Sequence, residues 1–186
     1  MVNIYQDGFC LNMKGSKMGY TEEDCIEDTN KHLKIVKDNI DIIMNELHSR
    51  ILNHDLSKLE DPELSDFTKL TPKLKESTYG SEEYKGFLKE LTDTLRHHYH
   101  HNRHHPEHFT PLVLHLNYPD EISAMNLIDM IEMFCDWLAA TKRHKDGNIF
   151  KSIDFNEKRF SISPQLSAIF YNTAEQIFRE EKRNDI

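Results

Sequence analysis

The stretch Ile122-Ser123-Ala124-Met125-Asn126-Leu127-Ile128-Asp129-Met130-Ile131-Glu132-Met133-Phe134-Cys135-Asp136-Trp137-Leu138-Ala139 decides the fold class. Its apolar residues occupy much of a helical circumference, the pattern of a central helix and not a surface one. Tyr118-Pro119-Asp120 opens it, with the proline near the first turn. Lys142 and Arg143, then Gly147, close it with cations and a glycine cap. Asp129, Glu132 and Asp136 are spaced three and four apart and so share one face. Buried acids are costly unless they are paired, hydrogen-bonded or on a metal. The competing reading is a charged face turned to water.

Working outward, the rest of the chain also reads as helix. Thr21 offers an N-cap, and Asp24 completes an approximate capping box. Ile26, Leu33, Val36, Ile40, Ile43, Met44 and Leu47 then form one stripe, with His32 at its edge. Ser49 to Leu59 reads as a second, short helix, ended by Asp61-Pro62. Glu63 to Leu70 suits another, followed by a loop over Thr71-Pro72 and Ser77 to Ser81. From Ser81 a helix carries Tyr84, Phe87, Leu88, Leu91 and Leu95 straight into a histidine tract, up to Pro106. Pro111 to Asn117 stays open between strand and loop. Ile149 to Phe160 and Ser163-Pro164 to Lys182 complete the set. The expectation is an all-α, single-domain helical bundle of about six to eight helices over residues 21–186, behind an irregular arm over residues 1–20.

A chain of 186 residues can bury a real core. A net charge of -9 argues against a broad nucleic-acid surface but not against a small anionic substrate held by metal ions. No apolar run approaches a membrane span. There is no basic-then-apolar leader, and the three cysteines lack Cys-x-x-Cys spacing. Together these features point to a cytoplasmic protein with free thiols. A homodimer is compatible with them.

The chemistry gathers around Asn53-His54-Asp55-Leu56-Ser57-Lys58: two hard-metal ligands side by side, and a cation three positions on. Of twelve histidines, seven fall between His97 and His108, which singles out that tract as a second source of ligands. Within it His98, His101 or Asn102, and His105 share a face if the helix persists. Surface histidines or a pH-sensitive patch are the plainer explanation of such a tract.

His32-x-x-x-Val36, then His54-Asp55-x-x-Lys58, then Asp136-Trp137-Leu138-Ala139-Ala140 resembles the HD-domain superfamily of metal-dependent phosphohydrolases. With Asn102-Arg103-His104-His105-Pro106-Glu107 and Glu132 to Trp137, the likeness is to a bacterial and phage branch of that fold, spanning about Thr29 to Thr141. The resemblance implies an all-α fold with His32, His54, Asp55 and Asp136 on one ion. His98, with His104 or His105, resembles the extra histidines that bind a second ion in the HD-GYP branch, where Asp55 would bridge. A Gly-Tyr-Pro motif is missing, so cyclic dinucleotides are not implied.

From these residues the expected metal ligands are His32, His54, Asp55, His98, His105, Glu132 and Asp136, holding one or two divalent ions among Mn, Fe, Co, Ni and Zn. Asp55, Lys58 and Glu107 are the expected catalytic residues, with Glu107 or a spare histidine moving the proton. Lys58, Arg103 and His104 are the expected contacts to a small phosphorylated substrate, a nucleotide first among them. Two rival functions are a di-iron oxygenase on the same fold and a non-catalytic metal- or nucleotide-binding regulator.

Overall fold

A computed structural model describes residues 19–77, 81–116, 118–143 and 147–184. Among them every regular element is helical: α1 (Glu22–Asn53), α2 (Glu63–Glu76), α3 (Glu82–Glu90), α4 (Thr92–His101), α5 (Thr110–Leu116), α6 (Glu121–Ala124), α7 (Leu127–Lys142), α8 (Ile149–Phe160) and α9 (Pro164–Asn184). Short 3-10 turns cover Leu56–Leu59 and Pro106–Phe109. The all-α expectation holds. The expected arm lies outside the described residues except at its end. No described helix is long and apolar enough to cross a membrane.

The chain divides into two compact units, Met1–Ile42 and Ile43–Ile186, with the boundary inside α1. In the first unit the expected capping box is present. Thr21 Oγ1 accepts from the Asp24 amide at 3.1 Å, and Asp24 Oδ2 accepts from the Thr21 amide at 3.0 Å. Exposed i,i+4 pairs, Lys34–Asp38 and Lys37–Asp41, line the helix at 2.7 Å. The stripe residues Ile26, Leu33, Val36 and Ile40 are exposed, not packed inward.

In the second unit the core is built mainly on α7, as its composition requires. Met133, Phe134, Trp137 and Leu138 bury against Ile149 and Ile153 of α8 and Phe170 and Ala174 of α9. Phe134 stacks on Phe170 with centroids 5.3 Å apart. Gly147 comes so near α7 that a Cβ there would sit 1.7 Å from the Thr141 carbonyl oxygen. Only glycine fits that approach.

Five boundaries differ from the reading of the sequence. The expected break before Ser49 does not occur, because α1 runs on to Asn53 and leaves His54 and Asp55 in the turn that follows it. α2 passes through Pro72, where a loop was expected. Packing against α3 and α4 outweighs the hydrogen bond a proline cannot donate. The helix before the histidines is split at Leu91, which is buried and separates α3 from α4, and it ends at His101 rather than at Pro106. Met125 and Asn126 likewise divide α6 from α7. The ambiguous Pro111 segment is helical, as part of α5.

Candidate metal centre

Where α1 ends, Asp55 takes the left-handed conformation, with φ 58° and ψ 15°. Asp and Asn tolerate that region better than most residues, though not freely. The turn sets the two carboxylate oxygens of Asp55 against different neighbours. Oδ1 lies 3.4 Å from His98 Nε2 and 3.5 Å from His104 Nε2. Oδ2 lies 2.6 Å from Lys58 Nζ and 3.6 Å from His54 Nε2. His54 Nε2 is in turn 3.9 Å from Asp136 Oδ1.

The histidine tract delivers its side chains from two kinds of backbone. His98 is inside α4, whereas His104 and His105 follow the helix end, where Asn102 bonds back to the His98 carbonyl at 2.8 Å. The buried Pro106 and Phe109 anchor the segment beyond them. His98 and His104 are almost closed to solvent, at 2% and 1% exposure. His98 Nε2 and His105 Nε2 are 2.9 Å apart.

One donor atom each from Asp55, His98, His104 and His105 lies within 4.8 Å of the others. Two ligands held about 2.1 Å from a tetrahedral ion lie roughly 3.4 Å apart, which matches the spacings around Asp55 Oδ1. Asp55 Oδ1 and His104 Nε2 are buried and make no hydrogen bond. Buried polar atoms seldom go unpaired, and a cation shared between these two would satisfy both. His54, Asp55 and Asp136 form a second group of donors, so that Asp55 belongs to both.

Carboxylates on the far side of the rings fix which nitrogen is free. Glu63 is fully buried at the start of α2, with Oε1 2.8 Å from His97 Nδ1 and Oε2 2.8 Å from His98 Nδ1. Glu132 Oε1 lies 2.9 Å from His54 Nδ1 and 3.3 Å from His104 Nδ1. A neutral imidazole that donates through Nδ1 keeps the Nε2 lone pair for a metal. Glu132 could complete a third donor group with His54 and His104. Its position behind the rings also lets it orient them.

The electrostatics agree with this division of roles. Burial, with His104 and His98 nearby, pushes His105 down to about 2, which keeps it a neutral donor. Burial, with Lys58 near, likewise lowers His98 against the pull of Glu63. Burial would raise Asp55, but the Lys58 ammonium outweighs it and holds the carboxyl below its ordinary value. Burial would also raise Glu132, yet His104, His54 and Arg50 hold it well below the carboxylate range.

Of the expected ligands, the structure brings together His54, Asp55, His98, His105, Glu132 and Asp136 in three overlapping donor groups, and Lys58 stands beside them. His104, expected to touch substrate and offered with His105 as a second-ion ligand, joins the donor group together with His105. His32 is exposed in the first unit and belongs to none of the donor groups found among the described residues. Arg103 is committed to Asp129, with Nε 3.1 Å from Oδ1 and NH2 2.9 Å from Oδ2, so it is no free substrate contact. Glu107 pairs with Arg159 at 2.5 Å and lines a different cavity with Tyr99 and His108. It belongs to none of the donor groups found among the described residues.

Asp129, offered by spacing as part of the acidic face, is explained without a metal. It closes a capping box with Asn126 and takes Arg50 NH2 at 2.8 Å as well as Arg103. Glu63 was missed entirely. In the sequence it looks like any acid in a first helical turn, and only its contact with two histidines some thirty residues away marks it.

Comparison with curated proteins and with solved structures found no match to this chain. A family model matches residues 21–176, most of the sequence. The chain therefore belongs to DUF5662, a family of unknown function.

Proposed function

We propose that the chain is a hydrolase of phosphate esters that works with one or two divalent transition-metal ions. The observation that carries this reading is Asp55, whose two oxygens face two separate donor groups, three imidazoles on one side and His54 with Asp136 on the other. A divalent ion there supplies Lewis acidity toward a phosphoryl oxygen and a bound water acidic enough to act near neutral pH. Mixed imidazole and carboxylate donors suit Mn, Fe, Co, Ni or Zn.

The chain's own residues supply positioning and charge. Lys58 Nζ, 2.6 Å from Asp55 Oδ2 and partly open to solvent, puts a cation where an anionic phosphoryl group would arrive. A lysine can exchange that carboxylate contact for a phosphate oxygen without losing charge-assisted bonding. Glu63 and Glu132 hold the rings, so little reorganisation is needed as charge develops.

The test is turnover of 4-nitrophenyl phosphate and bis(4-nitrophenyl) phosphate by protein loaded with each of the five metals. Activity that is lost in both His54→Ala and Asp55→Ala is the expected result. Equal activity in wild type and both variants contradicts it, and so does oxygen-dependent turnover by an iron-loaded protein that cleaves no ester.

A further inference from the structure

A groove of about 510 Å³ opens directly beside the centre. One wall is the end of α1, with Met44, Leu47 and Ile51, and the other is the outer face of α7, with Ile131, Cys135 and Ala139. His54, Glu132 and Asp136 line the same groove. The donor group of His54, Asp55 and Asp136 is therefore continuous with an apolar channel of the size that holds a small molecule.

The chemistry of this lining selects among phosphate esters. Among the described residues it contains no Ser, Thr, Asn, Gln or Tyr to read the edge of a base or a ribose hydroxyl, and no Phe, Tyr or Trp on which a base would stack. Besides His48, its described polar side chains belong to the centre or are already engaged. Arg50 is held by Asp129 at 2.8 Å and by Glu132 at 2.9 Å. The exposed Met44 and Ile51 present apolar surface along its length. Such a channel rewards methylenes and aromatic carbons, and it charges the desolvation of every hydroxyl or amide it cannot pair.

We infer that the substrate is a phosphate ester of an apolar alcohol, alkyl or aryl, whose hydrocarbon part lies between α1 and α7 while its phosphate reaches Asp136 and His54. The inference rests on the hydrolase reading and replaces the nucleotide expected from the sequence with a narrower class. In the reaction the water oxygen bonds to phosphorus as the bond from phosphorus to the leaving oxygen breaks. One proton of that water leaves with the alcohol, and the other stays with the phosphate product.

Two measurements on the full-length protein test this. Octyl phosphate should protect Cys135 from iodoacetamide, read by mass spectrometry of its peptide, whereas AMP and inorganic phosphate should not. For the metal-loaded protein acting on alkyl 4-nitrophenyl phosphates, kcat/KM should rise by about fourfold per buried methylene from methyl toward octyl. Ala139→Trp, which fills the groove, should flatten that rise without changing metal content. Protection by AMP equal to that by octyl phosphate overturns the inference, as does a flat chain-length series with active enzyme. Protection of Cys135 that follows protein concentration, together with a dimer in sedimentation, also overturns it, because a second copy would then occupy the groove. Protection by octyl phosphate with no ester cleaved keeps the apolar site and discards the hydrolase.

Discussion

Glu63 Oε2 stands 2.8 Å from His98 Nδ1, and both side chains are closed to water. This pair joins the start of α2 to the middle of α4 and turns the free nitrogen of His98 toward Asp55. Outer carboxylates of this kind are worth about 10- to 100-fold in metal affinity. Glu63→Gln should lower affinity for Zn²⁺ by that factor in competition with a chelator while leaving the helical content unchanged. An unchanged affinity would make Glu63 a packing residue only.

His32 and His104 should behave oppositely on substitution. His32→Ala removes an exposed side chain, and surface changes of this type stay within about 0.5 kcal/mol. It should leave both stability and metal content as in wild type. His104→Ala removes a donor that is 1% exposed, and metal content should fall by at least one ion per chain. Elemental analysis of the two variants decides between this arrangement and one built on the first helix.

Asp129 should matter for folding more than for chemistry. It is fully buried, closes the capping box of α7 with the N-cap Asn126 and receives both Arg50 and Arg103. Arg50 and Arg103 keep 21% and 43% of their side-chain exposure, so losing these pairs costs less than a fully buried pair would, and loss of the capping box adds to it; together about 1–3 kcal/mol. Asp129→Ala should lower the midpoint of urea denaturation accordingly. A shift below about 1 kcal/mol would show these pairs to be solvated.

The His54–Glu132 pair predicts the pH profile of the metal-free protein. Glu132 is held below its ordinary value, so its contribution is present above about pH 4.3 and is lost as pH falls through its folded value. His54 is raised, chiefly by its hydrogen bond to Glu132 against the opposing effect of burial. Its contribution is full below about pH 6.5 and is lost as pH rises through its folded value. Thermal stability in chelator should therefore peak between those limits. Glu132→Gln should flatten the profile on both sides, and a profile parallel to wild type would deny the coupling.

What could be read from the sequence follows from how local each signal is. The capping box at Thr21, the long apolar run of α7, and the helices after Asn148 and Ser163 depend on neighbours within one or two turns, and the structure has them all. Spacing alone did not choose between the two late aspartates, and only the family resemblance favoured Asp136: Asp136 lies in a donor group with His54 and Asp55, while Asp129, one face-repeat earlier, is taken up by Asn126 and two arginines. The histidine tract pointed to the right segment but not to its geometry, because the helix stops at His101 and loop backbone places His104 and His105. Pro72 and Leu91 show packing overriding local rules. Glu63 was invisible because its partners lie far along the chain, and the spacing that put Glu132 among the donors does not reveal which nitrogens of the rings it faces. The stripe on α1 suggested core, yet its residues are exposed, since periodicity marks an apolar face and not what covers it.

The central claim is that Asp55 and three imidazoles of the α4 region hold an ion. The most direct measurement is the metal content of protein purified without a histidine tag, for wild type and for Asp55→Ala, whose carboxylate both donor groups share. The expected result is at least one transition-metal ion per wild-type chain and near none in the variant. Wild-type protein that binds no metal when supplied with it, or an Asp55→Ala protein that keeps the wild-type amount, would contradict the account.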